Sequence, residues 1–101
     1  MSENDRPLND EQVYELPDNV MLRSVGDEVV LLNFDTERYF GLDAMGAEFL
    51  SLLSSDQNIG AVVATLLQNF DVAETLLRSD LGSLVTQLCE AGLLAQKADA
   101  P

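Results

Sequence analysis

An α+β fold, three antiparallel strands followed by three helices, is what this 101-residue sequence predicts. Three observations carry it. Short apolar segments between residues 20 and 42 are separated by compact polar turns, the pattern of a β-meander. From residue 44 onward the apolar positions recur at helical spacing instead. Residues suited to cap a helix stand where the period changes.

The first strand is expected at Val20–Val25, with Met21 and Arg23 on one face and Leu22 on the other. Gly26-Asp27 follows as a two-residue turn with Gly first, which suits a type II′ hairpin. The second strand, 28–34, contains VVLL, a run that reads as buried on both faces. Asp35-Thr36-Glu37 make a polar turn, and the third strand covers Arg38–Leu42. Asp43 is an N-cap for a helix over Ala44–Leu53, with Phe49, Leu50 and Leu53 as its inner stripe. Gly46 within it allows close approach to a neighbouring backbone. Asn58 caps a second helix, Ile59–Asn69, whose stripe is Ile59, Val62, Val63, Leu66, Leu67 and Phe70. Asp71 and Glu74 stand in the capping-box relation at the start of a third helix, 72–91. Leu77, Leu81, Leu84, Val85 and Leu88 follow helical spacing along it, and Gly82 costs about 1 kcal/mol against Ala in its middle. Gly92 is a stop signal, after which Leu93-Leu94 can fold back on the helix end. The order βββααα, with one sheet edge left free, is a winged-helix-like arrangement.

Length allows one domain. Residues 1–19 are polar and acidic, without strand or helical period, and are expected to be a disordered tail; 95–101 reads as a flexible C-terminal tail. The domain between them is 20–94, roughly 75 residues, close to the size at which folding alone becomes marginal. Five Lys and Arg against eighteen Asp and Glu leave a formal charge of −13. Such a chain is repelled by nucleic-acid phosphates and by anionic membrane surfaces, and it favours partners with positive patches. A single cysteine, Cys89, excludes an internal disulfide framework and fits a reducing compartment. Without a signal pattern or an apolar run long enough to span a bilayer, a soluble cytoplasmic protein is expected.

No catalytic constellation emerges, so the expectation is not an enzyme. The chain has no histidine to activate Cys89, and its carboxylates lack metal-ligand spacing; neither cofactor nor metal is expected. What the chain offers is a free strand edge. Unpaired N–H and C=O groups along Arg38, Tyr39, Phe40, Gly41 and Leu42 are a template for an added strand, and the third helix would form the other wall. There Asp80 stands beside the leucine stripe, where it can meet a ligand backbone or an arginine, or else pair with Arg78. Two other readings compete with this one. A winged-helix transcription regulator needs a basic recognition helix, and 72–91 holds only Arg78. A carrier protein modified at Ser83 needs helices after the serine, and eighteen residues, seven of them tail, leave no room for them.

The segment LLNFDTERYFGLDAMGAEFLSLL resembles the PqqD-like family, the leader-recognition domains of ribosomal peptide maturation systems. The correspondence runs through Val30–Leu32, Thr36–Arg38, Tyr39-Phe40, Leu42-Asp43 and Gly46-Ala47, then through Asp80, Leu84, Leu88 and Ala91–Leu94. It covers about 20–94; Asp43 stands where relatives often have Asn, and both cap a helix. The resemblance implies a non-catalytic winged-helix domain that binds the leader of a precursor peptide as an added strand. It implies a groove with Arg38, Tyr39, Phe40, Gly41 and Leu42 on one wall and Leu77, Asp80, Leu81 and Leu84 on the other. The implied partners are that leader and a processing enzyme, a leader peptidase or another tailoring enzyme. The YFGLDAMGAEFLSLL wording looks most like the small recognition proteins of lasso-peptide pathways.

Overall fold

In the computed structural model, which describes residues 8–55 and 57–97, the chain runs β1 (Tyr14–Glu15), β2 (Val20–Val25), β3 (Glu28–Asn33), β4 (Arg38–Leu42), α1 (Ala44–Leu53), α2 (Ile59–Asn69), α3 (Glu74–Glu90) and β5 (Ala95–Gln96). The strands β2, β3 and β4 form an antiparallel sheet in that spatial order, so β2 and β4 are its edges. Gly26 takes φ 63°, the positive value that the first position of a type II′ turn requires, and Val25 pairs directly with Glu28 across it. The next turn is one residue longer than expected, because β3 ends at Asn33 and Phe34 joins the loop. The buried Asn33 carboxamide accepts from the N–H groups of Asp35 and Thr36 at 2.9 and 3.2 Å and organises that turn. Glu37 closes it with φ 59°.

Registration sets the two faces. Leu22, Leu31 and Phe40 lie in one row, Val20, Asn33 and Arg38 in the next, and Ser24, Val29 and Leu42 in a third. On the opposite face Met21, Leu32 and Tyr39 share a row, and Arg23, Val30 and Gly41 another. Leu31 is wholly buried in the same core as Phe49, Leu50, Val62, Leu66, Leu77 and Leu88, which places the helices on its face. Val30 is buried on the other face, so the two-sided reading of VVLL holds at its centre, while Val29 and Leu32 are half-buried.

The first two helices match their expected bounds. Asp43 accepts from Gly46 N–H at 2.7 Å and Asn58 from Ala61 N–H at 2.9 Å, each capping an otherwise unpaired donor. The third differs at its start. α3 begins at Glu74 with Ala73 as its cap residue and no side-chain cap bond, so Asp71 is not a capping-box partner. Instead, α2 ends on extended Phe70, and Val72 N–H donates back to the Phe70 carbonyl, which draws Asp71 into the connection. Gly82 is buried and α3 continues unbroken through it, because flanking Leu81 and Val85 anchor it in the core. The helix ends in a Schellman motif: Leu93 N–H donates to Leu88 and Gly92 N–H to Cys89, with Gly92 at φ 74°.

The expected domain boundaries need correction. Residues 8–19 are not a loose tail where the structure describes them: Tyr14 is buried in the core, and β1 pairs antiparallel with β5. Gln12 and Asp10 carbonyls accept from Ile59 and Gly60, so this segment also covers the start of α2. Arg78 on α3 holds it down through Asp10 at 2.7 Å while pairing with Glu74 at 2.9 Å. Residues 95–97 are likewise ordered by that pairing, with Lys97 N–H donating to Val13. The remaining parts of both tails, 1–7 and 98–101, lie outside the described residues.

Candidate functional site

The free edge of β4 runs beside α3, and between them lies a cavity of about 340 Å³. Phe40, Gly41 and Leu42 from the strand, Asp43, Met45 and Gly46 from the start of α1, and Asp80, Leu81 and Leu84 from α3 line it. Each wall has a local cause. Strand alternation turns Phe40 and Leu42 toward the helices while the peptide edge stays open. On α3, Asp80 and Leu84 are one turn apart and therefore share a face. Gly46 brings the start of α1 close: a Cβ there would lie 3.1 Å from Asp43 Oδ1 and 3.6 Å from Leu84 Cδ2.

Most of the expected site residues are brought together, and two are recast. Leu77 is wholly buried among core side chains and does not line the cavity, because its position on α3 faces the other helices. Tyr39 is 72% exposed and belongs to the row of Met21 and Leu32, on the sheet face away from the cavity under Phe40 and Leu42. It contributes backbone edge and an exposed ring. Leu81 is nearly buried yet forms part of the cavity floor. Asp80 is exposed and is not the partner of Arg78, whose guanidinium is engaged by Asp10 and Glu74. Those two hydrogen bonds push the Arg78 pKa further up.

A second cavity, about 670 Å³, continues the groove beyond Phe40. Asn33, Thr36, Arg38 and Tyr39 line it from the sheet, and Glu90, Ala91 and Leu93 from the end of α3. Arg38, Tyr39 and Phe40 are among the expected site residues; sequence reasoning missed Asn33, Thr36, Glu90, Ala91 and Leu93 here, and Asp43, Met45 and Gly46 in the first cavity. The signal for Ala91 and Leu93 was present in the Ala91–Leu94 run, but only the Schellman turn shows that the run curls under the β3–β4 turn. Cys89, next to it, has its thiol pKa raised by partial burial, the opposite of what an activated nucleophile needs.

This arrangement, a short twisted sheet with one edge open beside a helix, is a docking surface for an extended chain. Comparison with known proteins places it. Residues 28–94 match the family model of coenzyme PQQ synthesis protein D (PqqD). Among solved structures, TbiB1 in complex with the TbiA(β) leader peptide is 33% identical with a TM-score of 0.74, covering 84% of this chain and 99% of its own. Lasso peptide synthetase B1 complexed with its leader peptide is 23% identical (TM-score 0.73; 80% of this chain, 95% of its own). The PqqD truncation of PqqCD from Methylobacterium extorquens, a stand-alone recognition element for ribosomally synthesized and post-translationally modified peptides, is 24% identical (TM-score 0.73; 92% and 98%). The last two establish the fold alone. A search of curated proteins returned no match. The chain belongs to the PqqD family.

Proposed function

We propose that this chain is a non-enzymatic adaptor that binds the leader of a ribosomally made precursor peptide as an added strand on β4 and presents it to a processing enzyme. The observation that carries this reading is the open β4 edge beside α3, with an apolar cavity between them, in a chain 33% identical to a protein solved with a leader peptide. Strand addition supplies main-chain hydrogen bonds, and the cavity takes alternate side chains of the guest. An unstructured leader gives up conformational entropy on docking, which strand pairing and a few apolar anchors offset. Holding leader and enzyme on one adaptor raises their effective concentration without new chemistry. The YFGLDAMGAEFLSLL segment, which resembles the recognition proteins of lasso-peptide pathways, and the fold shared with lasso peptide synthetase B1 support a lasso-peptide pathway, with a leader peptidase as the partner enzyme. A cytoplasmic setting suits this role, and no helix among the described residues is long and apolar enough to cross a membrane.

Titration of the 15N-labelled protein with the TbiA(β) leader tests the reading. Amide shifts are expected along 38–42 and 80–84. Leu84→Asp, checked for folding by circular dichroism, should weaken binding at least about ten-fold, or 1.4 kcal/mol. Unchanged affinity in the folded variant would refute the groove assignment.

A further inference from the structure

Gly41 sits inside β4 with no internal reason to be glycine. Positive φ occurs at Gly26 and Gly92 and not at Gly41. A Cβ added there would meet nothing within 4 Å among the described residues, so no close packing requires its absence. Strands accept glycine poorly, and one inside a strand often marks where a ligand or another backbone comes close. Register puts Gly41 on the outer sheet face, paired with Val30 and two residues from the exposed ring of Tyr39. The row of Met21, Leu32 and Tyr39 carries side chains out to the β4 edge. The next row, Arg23, Val30 and Gly41, stops one side chain short of it. The open edge thus presents a ring and, beside it, bare backbone.

We infer that Gly41 and Tyr39 form a subsite on the outer sheet face for an aromatic side chain of the bound peptide, so that the guest strand is gripped on both of its faces. The inference rests on the adaptor reading above and specifies the guest's chemistry. A strand added to β4 sends alternate side chains to opposite faces. One set enters the first cavity beside Phe40 and Leu42, and the other continues the outer rows. The guest residue opposite Gly41 meets no Cβ, so its side chain can lie flat over the backbone, the arrangement in which an aromatic ring covers an edge glycine. Tyr39 is then its diagonal neighbour, at about 7–8 Å, a gap that a ring spans and a small side chain does not. Contact between the two rings adds to what burial alone supplies. Parity follows from the strand: the outer anchor lies an odd number of positions along the guest from every side chain that enters the first cavity.

The test titrates the TbiA(β) leader against the 15N-labelled wild type, Gly41→Val and Tyr39→Ala. Nuclear Overhauser contacts to the Gly41 Hα protons identify the leader residue opposite it, and that residue is then made Ala, Leu, Lys and Phe in turn. With ordinary φ and open space at Gly41, the Gly41→Val variant should fold with a thermal midpoint no lower than the wild type. In the wild type the Phe leader should bind most tightly of the four. Tyr39→Ala should cut its advantage over the Ala leader about two- to five-fold, the range of one cross-strand pair. Gly41→Val should abolish that advantage while the 80–84 amides still shift, because the first cavity is untouched. If the Phe advantage is the same in all three proteins, or Leu or Lys equals Phe in the wild type, while the 38–42 amides shift, the outer subsite is wrong and the adaptor reading stands. If the leader moves none of those amides in the wild type, both are overturned.

Discussion

Tyr39 and Phe40 are adjacent in sequence, yet one ring is exposed on the outer sheet face and the other packs toward the helices. Single residues decide such details throughout the molecule. Asn33 is the buried polar residue of the core region, and its carboxamide oxygen accepts from two turn N–H groups and lies 3.4 Å from Asn19 Nδ2. Asn33→Ala should cost about 1–2 kcal/mol in urea unfolding, because it removes the acceptor shared by two part-buried turn N–H groups, while Asn33→Asp keeps the acceptor and costs less. Tyr14 sets an alkaline limit. Burial first, and then the proximity of Cys89, raise its pKa above the ordinary 10.0, and burial raises Cys89 above 9.0. Both groups hold their protons more tightly folded than unfolded. Their contribution to stability is complete below pH 9 and falls as pH rises through the raised values. Tyr14→Phe should therefore flatten the alkaline decline of the thermal midpoint, and a decline unchanged in this variant would contradict the assignment.

At the scale of elements, α3 has two faces with opposite tolerance. Leu77 is in the core and Leu84 half-exposed on the groove. Leu77→Asp should unfold the domain, since an unpaired buried carboxylate costs several kcal/mol. Leu84→Asp should leave the circular-dichroism spectrum intact and remove peptide binding. The helix end is equally specific. Gly92→Ala must hold φ near 74° with a Cβ, which should cost about 1–2 kcal/mol although no neighbour lies within 4 Å of it. Because Leu93 lines the second cavity, the same change is expected to weaken binding of leaders that fill it.

At the scale of the molecule, the described segments 8–19 and 95–97 are part of the fold. β1 and β5 close on each other, and Tyr14 completes the core between them. A chain beginning at Val20 should lose roughly 3–5 kcal/mol, the usual loss on removing a buried aromatic ring, with a correspondingly lower thermal midpoint. A truncation as stable as the full chain would restore the boundary expected from composition. That boundary was misread for a physical reason. Residues 8–19 have no internal period, and their order comes from partners far away in sequence: Ile59 and Gly60, Arg78, and Ala95-Gln96. Local patterning holds no trace of such contacts.

What the sequence determines by itself is whatever short-range physics sets. The alternation of 20–42, the turn at Gly26-Asp27, the caps Asp43 and Asn58, the helix stripes and the stop at Gly92 all follow from neighbours a few residues apart. The class of fold and the open β4 edge follow from these in turn. Tertiary structure alone decides which side of each element is spent on the core. It consigns Leu77 to the interior, turns Tyr39 outward, leaves Asp80 facing the cavity by engaging Arg78 elsewhere, and sets Glu90 and Leu93 beside Arg38. Periodicity states that a helix has an apolar face. Only packing settles where that face ends and the groove begins.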